Sequence, residues 1–254
     1  MPVIAVFNQK GGVGKTTTTL NLGAALLKRS REPLLIDLDP QASLTLALGL
    51  RHITAATSMY AFFNDAQPLA KLAVAARSGQ HVIPASVELS KIETLHGGDA
   101  SVSRRLREGI EREFGGAGKL ILIDCCPMLG VLSLNALMAA DRVLMPVSAD
   151  YLSLESVGKL QAALGVLEKR LQRPFVRRVL VTRFDGRRRL SYDIYRDLQG
   201  RYGKTLCETV ISESVTLAES PMHGKDVFAH APGSQGAVDY EALTEELEGA
   251  KFFD

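Results

Sequence analysis

The sequence has no run of about 18 consecutive apolar residues, so nothing in it reads as a helix that crosses a membrane. Cysteine is scarce, with three in 254 residues and two of those adjacent at Cys125 and Cys126. That pattern cannot make a disulfide framework and suits a reducing compartment; the three read as small buried hydrophobes and the chain as cytoplasmic. The start, Met1-Pro2-Val3-Ile4, lacks a basic segment ahead of its apolar run, which argues against a cleaved signal peptide. No linker-like stretch interrupts the chain. With 46% hydrophobic and 23% charged residues, one domain over 1–254 with a full core is the expected organisation.

Net charge is also slight, +2, but its distribution is uneven. Val176 to Lys204 holds eight arginines and one lysine against three aspartates, an excess of +6, and Asp239 to Asp254 holds six acids against Lys251, or −5. The first is a candidate phosphate-binding surface. The second gives an acidic C-terminal helix, the wrong sign for anionic lipid.

What the chain does have is Asn8-Gln9-Lys10-Gly11-Gly12-Val13-Gly14-Lys15-Thr16-Thr17-Thr18, set between an apolar β-branched run, Val3 to Phe7, and a helical stretch, Thr17 to Lys28. A glycine-rich strand-to-helix junction aims backbone N–H groups and the positive end of a helix dipole at one point, and glycine removes the Cβ that would keep a polyphosphate away. Lys15 is placed to reach the β/γ-phosphates and the Thr16 hydroxyl to ligate Mg²⁺. The strict G-x-x-x-x-G-K-[ST] pattern fails at Gln9, and a second lysine, Lys10, stands inside the loop.

Six further apolar runs, Pro33 to Ile36, His81 to Pro84, Lys119 to Ile123, Arg142 to Pro146, Val176 to Thr182 and Thr205 to Ile211, read as strands with helices between them. This alternation predicts an α/β fold with a mostly parallel, twisted sheet covered by helices on both faces, its ligand site at the carboxyl ends of the strands. Two carboxylates, Asp37 and Asp39, follow the second strand; turn formation and capping before Pro40 is the competing reading. The apolar run Leu120 to Ile123 ends in Asp124, the form of a Walker B strand that delivers a carboxylate to a magnesium shell.

The Lys-Gly-Gly-Val-Gly-Lys-Thr-Thr run resembles the deviant Walker A loop of the ParA/MinD family of P-loop partition and positioning ATPases. Val82-Ile83-Pro84-Ala85-Ser86 with Leu89, Leu132 to Leu137 with Ala140-Asp141, and Gly233 to Ala237 with Tyr240 extend the resemblance to the Soj/ParA branch over nearly the whole chain. It implies ATP and Mg²⁺ as cofactors, a homodimer sandwiching the nucleotide, and Lys10 reaching the partner's phosphates. By the same resemblance Lys10, Lys15 and Asp39 are the catalytic set, with Asp39 orienting the attacking water. Lys10, Gly11, Gly12, Val13, Gly14, Lys15, Thr16 and Thr17 cradle the phosphates, and Thr16, Asp37 and Asp124 serve the metal.

The implied role is an ATP-dependent switch that positions or segregates a plasmid, a chromosome origin or a protein assembly. It would hold nucleoid DNA without sequence preference and release it when an adaptor protein stimulates hydrolysis. Arg187, Arg188 and Arg189 match and enrich the family's basic turn and are the candidate DNA grip, with a solvated charged turn as the alternative.

Three departures qualify this. The family's small residue, two prolines and serine after the Walker B acid are here Cys125-Cys126-Pro127-Met128, and its I-P-R-N-V-R landmark reads Ile211-Ser212-Glu213-Ser214-Val215-Thr216. Both arginines are gone, and base contacts fall to Ser212 and Ser214. Adjacent Cys125 and Cys126 lack the separated thiolates that a cluster bridging two subunits requires, which sets aside an iron–sulfur reading. MinD-type relatives attach to membranes through a basic C-terminal helix; here that helix is acidic. Two other functions stay open: a regulatory module that uses ATP only to dimerise onto a protein partner, and a carboxylate-activating synthetase, which usually carries appended domains for which there is no spare sequence.

Overall fold

The computed structural model describes residues 2–97 and 102–254. Its strands are β1 (Val3–Val6), β2 (Leu34–Leu38), β3 (Val74–Ala75), β4 (His81–Ile83), β5 (Ile121–Cys125), β6 (Arg142–Ser148), β7 (Val176–Phe184) and β8 (Leu206–Ser212). They form one sheet in the order β3-β4-β2-β5-β1-β6-β7-β8. Every neighbouring pair is parallel except the edge pair β3–β4.

Alternate residues of the central strands enter different cores, which is why these strands read as continuous apolar runs. Val3, Ala5, Ile121 and Ile123 face one core with Leu106, Leu132 and Leu160 from helices. Ile4, Val6, Leu35 and Leu122 face the other, packed with Leu20, Leu22 and Leu26 of the helix Lys15–Lys28 and Tyr240, Leu243 and Leu247 of the C-terminal helix Gln235–Gly249. The predicted parallel sheet with helices on both faces is the fold that forms.

Three glutamates of the C-terminal helix are bonded within the chain. Glu241 and Glu248 pair with Lys28, Arg29 and Arg31, and Glu246 accepts both the Glu208 and Thr209 N–H groups at 2.8 Å.

The strands differ from expectation in ways that matter for the site. β2 and β5 each run two residues further than their apolar stretches, so Asp37 and Asp124 are strand residues rather than residues of the following turns. They sit opposite each other in the β2–β5 register, and Val6, the last residue of β1, faces Asp124 from the other side. Parallel pairing thus brings the phosphate loop, both aspartates and the chain after β2 to one edge. The antiparallel edge strand β3 was not anticipated; two residues leave no readable period.

Candidate nucleotide site

A cleft of about 560 Å³ opens at the carboxyl edge of the sheet, within the range of small-molecule sites. Gly11, Gly12, Gly14, Lys15, Thr16 and Thr17 form one end, with Asp39, Ser43 and Pro127 alongside. Thr182, Arg183, Ser212, Glu213, Ser214 and Tyr240 line the other.

Gly12 and Gly14 adopt φ of 73° and 86°, a left-handed backbone that a Cβ would strain, and this curls the loop around the cleft. Lys15 is buried, and its Nζ donates to the Lys10 carbonyl at 3.1 Å, so the ammonium lies across the mouth of the loop. Val13 does not line the cleft. Its side chain is buried and its carbonyl accepts the Thr182 hydroxyl at 2.8 Å, a strut from β7 to the loop.

The Thr16 hydroxyl donates to Asp124 Oδ2 at 2.7 Å, while Asp124 Oδ1 is buried with no hydrogen-bond partner among the described residues. Burial, and then the charge of Asp37, push the Asp124 carboxyl well above its ordinary range against the pull of Thr16 and Lys15. A free carboxylate oxygen beside a threonine hydroxyl and a buried lysine fits Mg²⁺ and its water shell, because a cation there supplies the missing partner.

Asp37 has a different set of contacts. Its Oδ2 accepts the Thr45 N–H (2.9 Å) and hydroxyl (2.7 Å), and Oδ1 accepts the Asp39 N–H at 3.1 Å. Burial raises it to about 6 despite those bonds. Both oxygens therefore organise the loop after β2, so any service to the metal shell passes through that loop. Asp39 is half-buried on the cleft wall, its Oδ1 accepting the Gln41 N–H at 2.9 Å.

Lys10 stands apart from the cleft lining. Its Nζ donates to Asp150 Oδ1 and Oδ2 at 2.7 and 2.9 Å and to the Ser153 hydroxyl at 3.1 Å. Partial burial works against the charge of Asp150, but the bonds from Lys10, Ser148 and Ser153 prevail and hold its carboxyl below the usual range. Asp150 and Ser153 went unnoticed in the sequence; the only cue was an Asp-x-x-Ser pair after β6, a helix-start signature.

At the far end the Ser212 N–H donates to Asp239 at 2.7 Å and the Ser214 and Thr216 hydroxyls bond to each other. Arg183, in left-handed backbone at φ 52°, pairs with Glu213 at 3.2 Å. Outside the cleft, Arg187, Arg188 and Arg189 are exposed, and each finds an acid: Arg187 and Arg188 share Asp185, and Arg189 lies 3.7 Å from Asp193. The three cysteines are free and buried, and burial raises all three thiols.

A family model described as an AAA domain matches residues 1–176. The chain is 40% identical over 248 residues to the chromosome-partitioning ATPase Soj of Thermus thermophilus, with 96% of this chain and 94% of that protein covered. It is 36% identical over 251 residues to the chromosome partitioning protein ParA of Caulobacter vibrioides, covering 96% and 93%. The chain belongs to the ParA/Soj family of partition ATPases. Among solved structures it superposes on a Mycobacterium smegmatis protein named cobyrinic acid a,c-diamide synthase, bound to ADP and magnesium, with a TM-score of 0.82, 29% identity and coverage of 96% and 93%. That chain is almost the same length, so length alone does not separate a partition ATPase from a synthase.

Proposed function

We propose that this partition-family ATPase is a dimerising switch: MgATP bound at the Gly11–Thr17 loop joins two copies, the dimer holds nucleoid DNA, and an adaptor protein triggers hydrolysis and release of a cargo. The observation that carries it is Lys10, a second loop lysine outside its own cleft, held by an exchangeable carboxylate. Two triphosphates facing each other across a dimer repel unless cations arrive from both sides. Exchange of Asp150 for a partner's phosphate would supply the second cation and make ATP the glue.

Within each site Lys15 and the loop N–H groups bind the phosphates, Thr16 and Asp124 hold the metal, and Asp39 orients the attacking water. Magnesium held there would supply neutralising charge to the phosphates. Ser212 and Ser214 border the base. No metabolite is made, so the output is a change of partners; the relatives named for chromosome partitioning support a cargo-positioning role in the cytoplasm. Arg187 to Arg189 are the DNA grip: their guanidinium groups stand in solvent, so phosphates can compete with Asp185 and Asp193 for them.

Nonspecific DNA binding measured with ATP, with ADP and with Lys10→Ala, across a salt series, tests this. Expected is ATP-dependent, salt-steep binding that the variant loses. A competent ATP dimer without DNA affinity would instead favour a regulator of a protein partner, a reading that the Arg183–Glu213 pair, in place of the family's arginines, keeps in view.

A further inference from the structure

The loop after Asp124 lacks one of the family's prolines and its serine, yet it is tied down through its backbone. The Met128 carbonyl accepts the Ser133 hydroxyl at 2.6 Å and the Cys126 thiol at 3.6 Å, and the Ser133 oxygen accepts the Gly130 N–H at 3.0 Å. The Met128 side chain, 70% exposed, takes no part in this.

A second tie comes from a distant segment. The helix Val131–Ala139 begins where the loop ends, and its first N–H groups have no partner within the helix. Those of Val131 and Leu132 donate to Glu93 Oε2 and Oε1 at 2.8 and 3.0 Å, so a carboxylate from the helix Ser90–His96 uses both oxygens on them. The negative charge also suits the positive end of the helix dipole. The fit requires Gly130: a Cβ there would lie 2.3–2.6 Å from the Glu93 carboxylate.

We propose that Glu93 is a positioning residue for ATP hydrolysis, clamping the loop 126–130 so that Asp124 and the cleft-lining Pro127 keep their places beside the phosphate loop. Glu93 bonds to the start of the helix Val131–Ala139 and not to the phosphate loop among the described hydrogen bonds, so its removal should act on the hydrolytic step more than on nucleotide capture. The inference rests on the family's ATPase activity and needs neither DNA nor an adaptor.

The test compares wild type with Glu93→Gln, which keeps the shape and one acceptor, Glu93→Ala, which keeps neither, and Gly130→Ala, which displaces the carboxylate. Steady-state hydrolysis and amide exchange over 126–132 are read well below each variant's melting temperature. Expected for Glu93→Ala is a kcat lower on the order of ten- to a hundredfold with KM for ATP within about twofold, Glu93→Gln falling between. Exchange over 126–132 should accelerate in the same order, a readout that tests the clamp whatever the basal turnover. Unchanged exchange, an unchanged or raised kcat, or a kcat that falls only in step with ATP affinity would overturn the proposal. A lower melting temperature with normal kcat would reduce Glu93 to a helix cap.

Discussion

At the phosphate end of the cleft, Lys15, Asp37 and Asp124 are buried and bonded to loop carbonyls, hydroxyls and backbone N–H groups, whereas the Arg183–Glu213 pair at the opposite rim, and Arg187 to Arg189 outside the cleft, hold their guanidinium groups largely in solvent and pair with acids close by. Burial leaves the first group few alternatives: a carboxylate without partners is costly there, so each contact is over-determined. The second group can change partners more readily, because its guanidinium groups stand in water and salt that screen them. Placing phosphates and, on the proposed function, gripping and releasing DNA have opposite requirements, and the phosphate loop and the exposed arginines differ in the same sense.

Four measurements would break or sharpen that contrast. The largest effect is expected at the buried end: Lys15→Ala should weaken ATP binding or turnover on the order of a hundredfold or more, while Arg183→Ala changes either by only a few-fold. Calorimetric titration with ATP checks both, and comparable losses would erase the distinction between the two ends.

At the exposed end, replacing Arg187, Arg188 and Arg189 together by alanine should lower the slope of log affinity for DNA against log salt by about 3. Glu213→Arg should raise it by about 1, since it removes an acid that now occupies Arg183. A slope indifferent to both changes would move the DNA surface elsewhere.

Asp37 offers a pH test. Its folded pKa of about 6 lies above the ordinary carboxylate value, so its contribution favours the fold when protonated and is lost as pH rises from about 4 through 6. Thermal midpoints of wild type and Asp37→Asn, measured without nucleotide, should therefore shift in the variant's favour over that window. A difference independent of pH would mean that the pKa of Asp37 does not change on folding.

The smallest effect is expected at the strut between the ends. Thr182→Val removes the hydroxyl donated to Val13 and should cost about 1 kcal/mol in urea denaturation, with a larger loss if the Val13 carbonyl stays dry.

How much of this was legible in the sequence follows the same division. The phosphate loop and Thr16 could be read because a strand–loop–helix junction places its residues by local geometry alone, and Asp124 because an acid at the end of an apolar strand is itself a recognisable pattern. Asp37 was visible as an acid near a strand end, but not as the residue whose carboxylate organises Thr45 and Asp39, since those bonds depend on how the later loop folds back. The Lys10–Asp150 pair spans 140 residues and the Glu93 clamp 38 or 39, and no periodicity marks such separations. Arg183 and Glu213 are 30 residues apart, so the sequence showed the loss of two arginines without showing where the new acid points.

By itself the sequence determined the alternation of apolar strands and amphipathic helices, the glycines at positive φ and the motif that binds phosphate, because each depends on neighbours within a few residues. Tertiary structure alone decided which distant charges meet. Parallel register set Asp37 against Asp124, the crossing of distant helices brought Glu93 to Gly130, and the edge of the sheet gathered the ends of five strands into one cleft. Electrostatic partners are chosen by distance in space and by burial, and neither exists until the sheet has closed.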